Sequence, residues 1–121
     1  MASSSTLTTN SMAYNLFIET DLEGTLIEDI GNGSVTVYSM HLNNAANSGS
    51  VYVKCYNNTS GVLGTDNPEL IFRLFGTQVL DVVFPTGLYF GTGLCIACVD
   101  TVGTAGTTNP GSAVIARLVT S

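Results

Sequence analysis

The sequence predicts an all-β fold, an antiparallel β-sandwich of jelly-roll-like type with about eight strands. Three observations carry that expectation. Apolar residues recur with a period of two in short runs, most clearly Val51, Val53 and Cys55 against Tyr52, Lys54 and Tyr56. This is the spacing a half-buried strand needs. Gly, Asn, Asp and Pro punctuate the chain between those runs, as in Asn57 to Pro68 with Gly61, Gly64, Asp66, Asn67 and Pro68, and such clusters mark turns and loops. No long stretch combines helical spacing with capping residues, and runs recurring about every 8–15 residues fit a sandwich or jelly roll.

In chain order, residues 1–12 are rich in Ser, Thr and Asn without periodicity. They read as an extended N-terminal arm, held by a neighbouring subunit along a strand edge, with 13–121 as the single β-domain. From Ala13 onward Tyr14, Leu16 and Ile18 alternate with Asn15, Phe17 and Glu19. An acidic turn leads into a run from Thr25 to Ile30, and Gly31-Asn32-Gly33 signals a tight turn. Val35 and Val37 then alternate with Thr36, Tyr38 and Met40, and His41 to Gly49 reads as a polar loop. The strand at Ser50 follows, and after the Asn57–Pro68 connection Leu70, Phe72 and Leu74 share a face. Pro85 interrupts the run from Gln78 to Phe84. Gly87 to Phe90 and Leu94 to Val99 flank Gly91-Thr92-Gly93 as two short strands. Asp100 to Gly111 is a Gly/Thr/Asn loop, and Ser112 to Thr120 is the last strand.

Composition limits the function classes. The 121 residues make one domain with room for a real core. Charged residues are 10 % of the chain, against about 25 % in a typical domain, while hydrophobic residues reach 45 %. So little charge on so apolar a chain predicts an oligomer with much of its surface covered. Three basic and nine acidic residues give a net charge of −6, a balance that repels phosphate backbones and excludes a nucleic-acid partner. The start carries no basic and apolar leader, and no apolar run reaches a membrane span. The expected partners therefore include neither a membrane nor nucleic acid. Lys54, Arg73 and Arg117 all fall within strands, where they are expected to pair with carboxylates or face water.

Candidate chemistry is sparse. Cys95 and Cys98 stand three apart on a strand, so their thiols point to opposite faces and cannot share a metal. With Cys55 they are expected to be reduced core residues. Glu19, Asp21, Glu23, Glu28 and Asp29 form an acidic cluster without the spacing of a calcium loop, read as a solvated or interface-facing rim. His41 is the only histidine and has no nucleophile motif beside it. Gly91-Thr92-Gly93 and Gly103 to Gly106 precede no helix that could hold phosphate. The sequence thus predicts no catalytic, cofactor-binding or metal site, no cofactor, and no enzymatic activity.

Several segments carry a resemblance. Tyr52-Val-Lys54-Cys-Tyr56-Asn57, Gly64-Thr-Asp66-Asn-Pro68-Glu-Leu70, and Phe84-Pro-Thr-Gly87-Leu88-Tyr-Phe90-Gly-Thr92-Gly93-Leu94-Cys-Ile96-Ala97 resemble a pattern of small tailed-bacteriophage virion structural proteins of the capsid decoration, or cement, type. The likeness runs from about Val51 to Thr120; Cys55 and Cys95 stand where that pattern has aliphatic residues. It implies a sandwich subunit on the outer capsid surface of a virion. The expected partners are the chain itself, as a trimer, and the major capsid protein. The alternative is a receptor-binding or lectin-like module of a tail or spike, with Asn57–Pro68 and Asp100–Gly111 as its recognition loops. The absence of Trp weighs against sugar binding.

Overall fold

The computed structural model describes residues 5–9 and 14–121, and among these nine strands form two antiparallel sheets. They are β1 (Ser5–Thr9), β2 (Asn15–Leu22), β3 (Ile27–Ile30), β4 (Val35–Asn43), β5 (Val51–Asn57), β6 (Leu70–Leu74), β7 (Val79–Phe90), β8 (Leu94–Val99) and β9 (Val114–Thr120). One sheet has the order β1-β2-β9-β4-β7 and the other β3-β8-β5-β6. The pairings nest: β5 with β6, β4 with β7, β3 with β8, β2 with β9. A long hairpin with its tip between β5 and β6 has thus rolled up into two sheets, and pairs β4–β9 and β5–β8 close it. This is the jelly-roll arrangement, made by β2 to β9, with β1 added at one edge.

The core lies between the sheets. Val51, Val53 and Cys55 of β5 meet Met40 and Leu42 of β4 and Ala116 and Leu118 of β9 in one buried cluster. Leu70, Phe72 and Leu74 share the core-facing side of β6 as their spacing predicts, Leu74 fully buried and the other two packed against the cluster.

Two expected boundaries move. β4 continues through His41 to Asn43, so His41 belongs to a strand and not to a loop. Its alternation also breaks: buried positions run Val35, Val37, Met40, Leu42, because the register shifts between Val37 and Ser39 against both neighbours. Tyr38 is the extra residue, and Met40 therefore faces the core, opposite to the uninterrupted pattern. Gln78–Phe84 and Gly87–Phe90 are likewise one strand, β7, despite Pro85. β7 is a sheet edge, where a missing N–H costs no ladder bond. Opposite Tyr38, residues 84–87 bulge outward, since Val37 pairs Leu88 and Ser39 pairs Val83. Gly87 closes that bulge at φ +82°, and a Cβ there would lie 3.2 Å from the Tyr38 ring.

The N-terminal expectation changes as well. Ser5–Thr9 pairs with the chain's own β2, from Ser5↔Glu19 to Thr9↔Asn15, so these five residues find their strand edge at home. The remainder of the expected arm lies outside the described residues.

Lys54 departs furthest from expectation. Its side chain is solvent-inaccessible and, among the described residues, meets no carboxylate. Nζ donates to the carbonyl oxygens of Thr104 at 3.1 Å and Gly106 at 2.8 Å. Those carbonyls belong to the β8–β9 loop, which folds back over the outer side of the four-stranded sheet. On that outer side Cys95, Ala97 and Val99 are fully buried, so β8 is covered on both faces. The loop is tight: Asp100 N–H donates to Thr108 O at 2.9 Å, and a Cβ on Gly106 would come within 2.6 Å of the Thr101 carbonyl oxygen. Burial lowers the Lys54 pKa from its ordinary 10.5, the cost of holding an ammonium among dipoles alone.

Replacing Lys54 by Met keeps the apolar stem and removes the donor to both carbonyls. The desolvation cost disappears with the charge, so global stability changes little, and the effect is local. Hydrogen exchange of the Asp100 amide should quicken by roughly tenfold or more. An unchanged exchange rate would mean that the ammonium does not fasten this loop.

Candidate interaction surface

Among the described residues the outer side of the other sheet has no such cover. In β4, Met40 and Leu42 point inward, so Ser39, His41 and Asn43 point outward. Cross-strand pairs share a face, and the register therefore sets three outward rows across β9, β4 and β7. They are Val119–Ser39–Val83, Arg117–His41–Asp81 and Ile115–Asn43–Val79. β2 extends the first two with Leu16 and Ile18. The outward face of an antiparallel sheet is ordinarily polar; here its flanking rows carry Val and Ile. Val83 is 69 % exposed and Val79 47 %. Between the rows a groove of about 400 Å³ opens, bounded by Leu16, Val119 and Val83 on its apolar side.

The middle row carries the charge. His41 Nδ1 and Asp81 Oδ1 lie 2.6 Å apart, with both side chains substantially exposed. Arg117, on the other side of His41, forms no ion pair among the described residues. Its backbone lies two strand spacings from that of Asp81, about 10 Å, and the two form no ion pair. An acid orienting an imidazole through Nδ1 is half of a catalytic relay. Ser39 is the nearest hydroxyl along β4, and no hydrogen bond joins it to His41.

The remaining candidate residues separate. Cys95 pairs with Tyr56 on the outer side of its sheet, where its Sγ donates to Asn58 O at 3.0 Å, while Cys98 pairs with Val53 in the core. The two thiols point apart, as their spacing predicts, and all three cysteines are free and buried. The acidic cluster is not one rim. Glu19 sits across from Ala116 and is buried with Asp21. Asp29 instead shapes the Gly31–Gly33 turn, Oδ1 accepting from Gly33 N–H at 2.7 Å, and Glu28 Oε2 accepts from Gly61 N–H. Among the described residues, no group of three His, Cys, Asp or Glu side chains is placed to hold a metal ion.

Sequence reasoning placed Arg117 on a strand, facing water or a carboxylate, but passed over Asp81 and the outward apolar residues, although a signal was present. Leu16-Phe17-Ile18, Val114-Ile115-Ala116 and Val82-Val83-Phe84 are unbroken apolar runs, the mark of strands covered on both faces. Compared with protein-family models, curated proteins and solved structures, the chain matches none.

The thiols give this assignment a chemical test. Burial pushes Cys55 and Cys98 up to about 12, and Cys95 also upward. Each folded-state pKa thus exceeds the ordinary 9.0, so the folded chain keeps protons that the unfolded chain releases. Stability should fall as pH climbs from about 9 toward 12, Lys54 alone acting in the opposite sense below 10.5. At pH 8 a disulfide reagent such as dithionitrobenzoate should find no reactive thiol in the native chain and three after unfolding. Rapid native reaction at any of them would show a thiol open to solvent.

Proposed function

We propose that the chain is a non-enzymatic structural protein of a bacteriophage virion, a decoration or cement subunit that associates with itself and adheres to the major capsid protein on the outer shell. The observation that carries this reading is the open apolar face of the five-stranded sheet beside a second sheet whose inner strand β8 the chain covers on both sides. A chain with 10 % charged residues that leaves Val79 and Val83 facing water is built for a surface that something else covers. Adhesion is the mechanism. Apolar and backbone contacts spread over neighbouring shell subunits add up, and they oppose the outward pressure of packaged DNA. Jelly rolls serve capsids and lectins alike, so the reading rests on this face and the sequence resemblance, not on the fold.

A receptor-binding module of a tail or spike is the second reading. It draws on an open recess of about 300 Å³, lined by Asn47, Ser48, Asp100 and Gly111 at the end of the β8–β9 loop. Its lining offers amide, hydroxyl and carboxylate groups to a polar ligand.

Localisation decides between them. An antibody raised against the purified chain, applied to virions that encode it, should label the shell facets, and shells lacking the chain should rupture at lower temperature. Label confined to the tail tip would favour the second reading, and unlabelled virions would remove both.

A further inference from the structure

The bare face complements itself. Take a two-fold axis lying along β4 in the plane of contact, so that a second copy packs with its strands aligned. The axis exchanges the β9 side of one copy with the β7 side of the other. Val83 then lies over Val119, Val79 over Ile115 and Asp81 over Arg117 of the second copy, each pair occurring twice. Ser39, His41 and Asn43 lie on the axis and meet themselves. Within the three overlapping strands Asp81 and Arg117 each meet the opposite charge, and the flanking apolar residues meet one another. His41 already occupies Asp81 Oδ1, which leaves Oδ2 to accept from the guanidinium of the second copy, a partner Arg117 lacks among the described residues.

We infer that the outward rows of β9, β4 and β7 form a homodimer interface, occupied by the same rows of a second copy around a two-fold axis along β4. The inference rests on reading this face as a contact surface, and not on where in a virion the chain sits. An axis along β4 overlaps three strands of each copy, β9, β4 and β7; at about 4.8 Å spacing and some seven residues each they present roughly 350 Å² per copy, so about 700 Å² is covered in all, the size of a weak, reversible contact. An isologous contact of this kind gives pairs, whereas the trimer expected from the sequence needs a heterologous contact.

The test is light scattering coupled to size exclusion on the purified full chain and on two exposed-site variants, Arg117→Asp and Asp81→Arg. The native chain should run at about twice 12.6 kDa. Each variant alone sets two like-charge pairs face to face and should weaken pairing by roughly tenfold or more. Mixed in equal amounts, the two variants restore both opposite-charge pairs, and the dimer mass should return. Val83→Lys, with circular dichroism to verify the fold, tests the apolar row independently and should also give monomer. A native chain that is monomeric or trimeric at tens of micromolar would overturn the inference. So would charge reversals that leave the mass unchanged, or a mixture that fails to reassociate. If the native chain is monomeric while the same variants abolish attachment to shells, the face belongs to the capsid protein: the dimer falls and the virion reading stands.

Discussion

Lys54 Nζ, held between the carbonyl oxygens of Thr104 and Gly106, is the contact on which the asymmetry of this molecule depends. By drawing the β8–β9 loop over the four-stranded sheet it turns β8 into a strand buried on both faces. Carbonyl dipoles alone hold the charge, and the lowered pKa records what that costs. The opposite sheet has outward residues of the same apolar kind, and among the described residues no loop covers them. The cover that β8 finds within the chain is thus not matched on β9, β4 and β7.

Nested pairing determines which face is left open. With β4 lying between β9 and the edge strand β7, the outward rows of three strands align. The C-terminal strand supplies Arg117 and the edge strand supplies Asp81, with His41 between them. The shared irregularity at Tyr38 and residues 84–87 lets β4 and β7 resume this register after the bulge. Tyr38 leaves the ladder's alternation and meets Tyr14 edge to face, ring centroids 5.1 Å apart. Without that shift Met40 would point outward and His41 inward, and the charged row would not exist.

What could be read from the sequence follows the range of the interactions involved. The alternation at Val51–Asn57, the limits of β8 at Leu94–Val99 and the divergence of Cys95 from Cys98 are properties of a few adjacent residues, and they hold in the structure. The Tyr38 bulge escaped because its cause is pairing with β7 and β9, residues 40 to 80 positions away. Lys54 escaped for a related reason: a strand lysine ordinarily reaches water or a carboxylate, and nothing local announces a loop fifty residues later. Glu19 and Asp21 similarly read as surface acids, yet β2 places them in buried positions. The interaction face was half legible, since unbroken apolar runs in β2, β7 and β9 signalled cover on both sides without naming the cover.

The account therefore turns on whether association covers the outward rows of β9, β4 and β7 and spares the rest. Hydroxyl-radical footprinting across a concentration series measures this residue by residue. Val83 and Val119 should become protected as concentration rises, while Val62 and Val102, exposed on loops remote from that face, keep a constant reactivity. Constant reactivity of Val83 and Val119 at every concentration, or protection confined to the loop valines, would contradict it.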